Sequence, residues 1–215
     1  MLLGGRYLEK KKSVKSQKRK KIIDKAWELF AKNGYEETKV EDITRELGVS
    51  KGSFYTYFET KDELLYEILG KIKKKIVEAL ETINTNQKPE KILEDYVKIK
   101  MNSAVEILNN MRLDSLQKNI CNPKLICFFE EIREKSIDFI KINIVEKFNE
   151  KNGNKYEAKI ISEFILISIE EFLYDEFVLK SFRNMKEDEL INIKNTDKIE
   201  ISLKEITKFI NNALK

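Results

Sequence analysis

A chain of 215 residues that is 41% apolar and 36% charged, with 7 glycines and 2 prolines, has room for one large or two small domains. Its composition suits a soluble helical protein and argues against a β-sandwich, a collagen or a disordered chain. There is no histidine, which removes the commonest general base and metal ligand, and no apolar run approaches the roughly 18–20 residues of a membrane span. The formal charge of +4 is unevenly divided: residues 1–77 carry 19 basic against 12 acidic side chains, and residues 78–215 carry 22 against 25. An anionic partner is therefore expected for the first third alone.

The opening MLLGGRYLEKKK passes from three apolar residues to charge and is not read as a signal peptide. Residues 10–21, KKKSVKSQKRKK, hold eight basic residues in twelve. Two readings stay open for this arm: a solvated tail, or a segment that contacts phosphates beside a main site. From Ile22 the pattern becomes helical, with Ile22, Ile23, Ala26, Trp27, Leu29 and Phe30 on one broad face, and Asn33-Gly34 closes that helix. Thr38-Lys39-Val40-Glu41 reads as a Thr-x-x-Glu capping box for a short helix lined by Val40, Ile43 and Leu47, which ends at Gly48. Ser50 can cap a third helix, with Phe54 and Phe58 four apart on its inner face. Thr60-Lys61-Asp62-Glu63 is a second such box, opening a long helix with Leu64, Leu65, Ile68, Leu69, Ile72 and Ile76 inward.

Two short helices joined at Gly48 make a helix-turn-helix, whose second helix lies in the DNA major groove. With Phe54 and Phe58 inward, Lys51 and Tyr55 share one outward stripe, and Ser53 and Tyr57 its neighbour. A tyrosine there offers rigid apolar area and a hydroxyl for a phosphate oxygen, and Gly52 allows close backbone approach to a duplex. Lys61 opposes the dipole in the first turn of its helix, a cost that a nearby phosphate would reverse.

Beyond residue 77 the signals are coarser. Breaks are expected at 82–89, with Pro89 in the first turn of the next helix, at 119–124 and at 151–156. Helices are expected over 124–149, 155–182 and 197–214. Cys121 and Cys127 read as reduced thiols. Glu130-Glu131 and Glu170-Glu171 are the nearest thing to acid/base pairs, but neighbours on a helix point about 100° apart and no nucleophile, phosphate loop or metal spacing accompanies them. No enzyme, cofactor or metal site is expected.

Residues 20–65, with AWELFAKNGYEETKVEDITRELGVSKGSFYTYFETKDELL at their heart, resemble the DNA-binding domain of the TetR/AcrR family of bacterial transcriptional regulators. The resemblance implies an all-α protein of about nine or ten helices: a basic arm (1–17), a three-helix DNA-binding domain (18–77) and a larger ligand-binding and dimerisation domain (78–215). It implies a cytoplasmic homodimeric repressor on palindromic double-stranded DNA, released by a small effector, here expected to be largely apolar, with no membrane partner. Carried over by position, the DNA contacts would be Thr38, Lys39, Ser50, Lys51, Gly52, Ser53, Tyr55, Thr56, Tyr57 and Lys61. Tyr96, Met101, Met111, Cys127, Phe128 and Phe129 would line the ligand pocket. Phe164, Ile167, Phe172, Leu173, Phe177, Val178, Leu203, Ile206, Phe209 and Ile210 would form the dimer interface. The rival readings are a chromosome-organising DNA binder of the same fold without effector, and a basic helical protein on anionic membrane surfaces.

Overall fold

Long charged side chains are good helix formers, and once Ile22–Phe30 nucleates a helix on the core, each residue added upstream extends it at little cost. In this computed structural model, which describes residues 3–108, 122–179 and 196–215, the basic segment is accordingly helical: α1 runs Leu3–Asn33 without a break. The expected separate arm is thus the first half of a helix. Ile22, Ile23, Ala26, Leu29 and Phe30 are its buried face. Gly34, at φ 90°, ends it, with its N–H donating to Phe30 O at 2.9 Å.

α2 spans Val40–Glu46, α3 Lys51–Tyr55 and α4 Lys61–Glu81. The first capping box is shifted by one residue. Lys39 stands at the N-cap, and the Asp42 carboxylate, not Glu41, accepts its N–H at 2.9 Å. Thr38 has turned inward: fully buried, its hydroxyl donates to Gly34 O at 2.8 Å and approaches Leu29 O at 3.3 Å. Carbonyls at a helix end lack helical donors, and a buried threonine is better spent on them. Gly48 makes the turn at φ 63°, Ser50 Oγ accepts from Ser53 N at 3.2 Å, and Thr60 Oγ1 accepts from Glu63 N at 3.0 Å. In the second box the Glu63 carboxylate reaches back to Glu59 N, at 2.6 Å, rather than to the N-cap amide.

α5 spans Pro89–Leu108. α6 runs Pro123–Ile140, passes through a π-helical turn, Lys141–Val145, and continues as Glu146–Asn152 to Gly153 at φ 69°. α7 is Ala158–Tyr174, extended by a second π turn, Asp175–Leu179, and α8 is Thr196–Ala213. The described residues thus form eight helices, slightly fewer than expected, and none is long and apolar enough to cross a membrane. Met111, Cys121 and the side chain of Val178 lie outside the described residues.

Two apolar cores organise the described residues. One joins α1, α2, α3 and the first half of α4; the other joins α5, α6, α7 and α8. α4 crosses the expected boundary at residue 77 and serves both, through Leu64, Leu65, Ile68 and Leu69 on one side and Leu80 on the other. α6 likewise sends Leu125, Phe128 and Ile132 into the first core. Where α6 begins, polar groups fix this docking: Asn122 caps the helix and donates to Glu36 at 3.1 Å, while Asp62 accepts from Lys124 Nζ at 2.6 Å and from the Tyr35 hydroxyl.

Lys124 first, and Tyr35 second, hold the Asp62 carboxyl below its usual range. A carboxyl depressed by folding adds stability that is complete above its unfolded value, about pH 4, and that is lost as acid titrates the folded group. Asp62→Asn is expected to lower the unfolding midpoint at neutral pH, and its gap from the parent should narrow as the pH falls below about 4. A gap in thermal or urea unfolding that stays constant into acid would remove this role.

Candidate nucleic-acid interface and an adjoining cavity

A five-residue helix presents little, so each position of α3 matters. Phe54 and Phe58 are 0% and 1% exposed, while Tyr55 is 48% exposed and Ser50, Lys51, Gly52 and Thr56 are exposed as well. Ser53 is half-buried, and so is Tyr57, which packs against the first core. The Tyr55 ring meets Phe54 edge-on at 5.4 Å, which braces it without covering it. Lys51 pairs with Glu41 of α2, both side chains being solvent-exposed. Such a pair contributes little to stability and leaves the ammonium exchangeable. Lys39 is exposed at the start of α2.

Two residues expected on this surface are turned away from it. Thr38 is buried, as described above. The Lys61 ammonium donates to Tyr35 O at 2.8 Å and Thr38 O at 3.1 Å, reaches Glu36 O at 3.4 Å, and lies 4.1 Å from the Tyr35 ring centroid. Burial holds its pKa below the ordinary lysine value. The carbonyls between α1 and α2 have no helical donors, and Lys61 supplies them. It serves the loop before it can serve any phosphate.

Between the two cores lies a cavity of about 610 Å³, walled by Trp27, Phe30, Leu65, Leu69 and Ile72 of α1 and α4 and by residues of α5, α6 and α7. Of the residues expected to line a ligand pocket, Phe128 and Phe129 border this cavity. Tyr96 does not: it is buried and stacked on Phe139 at 5.8 Å. Met101 is buried beside α8, and Cys127 is exposed outside the cavity. Residue type alone does not fix which side of a helix faces a void. The cavity also takes Lys100, Arg133 and Glu170, which residue-type reasoning passed over. Their signal was positional, since Lys100 lies four residues after Tyr96, Arg133 four before Ile137, and Glu170 three before Leu173, all buried.

The expected dimer residues divide. Phe164, Ile167 and Phe209 are 61%, 49% and 68% exposed. Leu173, Phe177, Leu203 and Ile210 are buried in their own subunit, and Phe172 and Ile206 pack partly against its core. Three-to-four spacing accounts for this, because the two sets occupy different faces of α7 and α8. Ile160 and Ile201, 64% and 62% exposed, extend the outer stripes and were not anticipated.

A family model described as bacterial regulatory proteins, tetR family, matches residues 22–68, the helices just described. The uncharacterized HTH-type transcriptional regulator YuxN of Bacillus subtilis is 46% identical over 54 residues, 25% of this chain and 19% of that protein. The fatty acid metabolism regulator protein of the same organism is 37% identical over 68 residues, 30% of this chain and 35% of that one. The chain therefore spans between 19% and 35% of the length of these two relatives. A crystal structure of a transcriptional regulator from Aquifex aeolicus is similar over 89% of this chain and 98% of its own, with TM-score 0.63 and 28% identity. The helix-turn-helix of residues 22–68 is thus that of the TetR/AcrR family of bacterial transcriptional regulators, and the fold around it is similar to that regulator's over 89% of the chain.

Proposed function

We propose that this protein is an effector-responsive transcriptional repressor that binds a palindromic operator as a homodimer. The observation that carries the reading is α3: a fully buried Phe54 and Phe58 beneath, and Lys51, Gly52, Tyr55 and Thr56 outward. Lys51, Ser53 and Thr56 would read base edges. Lys39, Ser50, Tyr55 and Tyr57 would hold phosphates, and the Gly52 backbone would approach the duplex. Thr38 and Lys61 act by positioning the loop that carries Lys39.

Gly52 sharpens the case. A Cβ there would meet only Ser50 Oγ, at 3.9 Å, so nothing within the chain requires glycine. Glycine inside a helix costs about 1 kcal/mol relative to alanine, and an approaching duplex supplies the missing reason. The pocket between the two cores would hold a small, largely apolar effector. The name of the Bacillus subtilis fatty acid metabolism regulator is consistent with one. Ile160, Phe164 and Ile167 of α7, with Ile201 and Phe209 of α8, would meet the same stripes of a second copy.

Operator fragments selected from genomic DNA provide the test, with fluorescence anisotropy as the readout. Gly52→Ala is expected to raise the unfolding midpoint by the equivalent of up to about 1 kcal/mol while weakening operator affinity. Tyr55→Ala should weaken specific and random duplexes alike, by about 1–2 kcal/mol. A Gly52→Ala protein that is more stable and binds with undiminished affinity would sink the proposed approach. Phe164→Glu combined with Phe209→Glu is expected to give a folded monomer by light scattering, with operator binding lost. A persistent dimer would show that the interface lies elsewhere.

A further inference from the structure

One wall of the cavity between the cores is ionic. Lys100 of α5 donates to one oxygen of Glu170 on α7 at 2.7 Å, and Arg133 of α6 approaches the other at 3.4 Å. Lys100 is the most withdrawn, its side chain 14% exposed against 28% for Arg133 and 36% for Glu170. Two partly buried cations thus share one carboxylate at the edge of an otherwise apolar chamber. An ammonium carries three donors and a guanidinium five, and Glu170 takes one from each. Behind this wall, the buried Tyr96 and Ser136 hydroxyls face each other, each one turn from a cation on its own helix. Glu130 and Glu171 also border the cavity, but both are solvent-exposed, where water screens their charge. The sheltered part of the wall therefore carries one uncompensated positive charge and donors to spare.

We infer that the cavity takes an amphipathic monocarboxylate: an apolar body among Trp27, Phe30, Leu69 and Phe128, and an anionic head received by Arg133 and Lys100. The head would replace the long Glu170 contact with the forked, charge-assisted geometry that guanidinium and carboxylate share. Glu170 then acts as the resident counter-ion of the empty site, holding both cations until a ligand arrives. A volume of about 610 Å³ lies within the range of roughly 300–1,000 Å³ of pockets that enclose ligands of this size. The inference rests on the effector reading of the cavity and adds the chemistry of the head group.

Trp27 is the only tryptophan of the chain and lines the cavity, so its emission reports occupancy. The full-length protein is titrated with laurate, dodecanol and dodecyltrimethylammonium below their micellar concentrations, with calorimetry in parallel. Laurate is expected to bind at least about tenfold tighter than dodecanol, a charge-assisted pair being worth that much in a sheltered site. Lys100→Met and Arg133→Met should each erase the margin while leaving dodecanol affinity unchanged. Glu170→Gln should widen it, because the competing carboxylate is gone. Should a truncation unfold the protein, Glu170→Gln decides alone: tighter laurate binding supports the inference, and weaker binding overturns it. Equal affinity for acid and alcohol, or preference for the ammonium, overturns the inference but leaves the effector reading standing. Silence towards all three probes overturns both.

Discussion

Five residues cannot hold a helix in water, because nucleation fixes several torsions for one or two hydrogen bonds. α3 exists because Phe54 and Phe58 are driven under it into the first core, each fully removed from solvent. What surrounds those two rings therefore sets the attitude of the outward surface. The Arg19 guanidinium lies 4.7 Å over the Phe58 ring and pairs with Glu67 of α4, so α1 and α4 are tied together across the base of the helix. Arg19 belongs to the basic run, yet it is half-buried while its basic neighbours from Lys15 to Lys21 stay exposed. One member of a charge cluster has become a strut and the rest remain surface.

The same side chains that support α3 wall the cavity. Phe30 of α1 and Leu65 and Leu69 of α4 are members of the first core and also face the void. From the other side, α6 presses Leu125, Phe128 and Ile132 onto that core and latches its N-terminus to Asp62 and Glu36. A molecule filling the void would bear on the contacts that fix α1 and α4 relative to α6. Close-packed interiors answer such loads by switching between discrete packings rather than by stretching. On the proposed reading, that is how occupancy would reach the duplex-facing surface, and a few kcal/mol of preference for the shifted packing would suffice.

Local chemistry was legible; direction was not. Glycines at 34, 48 and 153 end their elements as turn signals should, and Ser50 and Thr60 cap where the sequence puts a cap. Phe54 and Phe58 follow from four-residue spacing alone. Thr38 and Lys61 misled because their task is set by carbonyls of a loop that only the folded chain brings near them, from 4 to 26 residues away. Pocket residues could not be chosen by type, since an aromatic suits a core and a cavity wall equally. Charge at core spacing would have been the better guide, since Lys100, Arg133 and Glu170 each stand three or four residues from a buried Tyr96, Ile137 or Leu173.

α7 shows where the remaining ambiguity lies. Its sequence AKIISEFILISIEEFLY is apolar nearly all round, a pattern that belongs to helices covered on every side. Among the described residues, one side of it is covered, by way of Ile165, Leu166, Ile169 and Leu173. Ile160, Phe164 and Ile167 form a separate stripe, and α8 carries Ile201 and Phe209, eight residues apart and so on one face. A monomer that kept both stripes in water would expose an apolar patch of the kind that soluble proteins reserve for partners. Self-association through them removes that cost. It would also set two copies of α3 at a fixed separation, which one helical turn of duplex, about 34 Å, must then match. Apolar residues that could not be sorted from the sequence thus divide in the fold, one face of α7 turned to its own core and the other left for the proposed second copy.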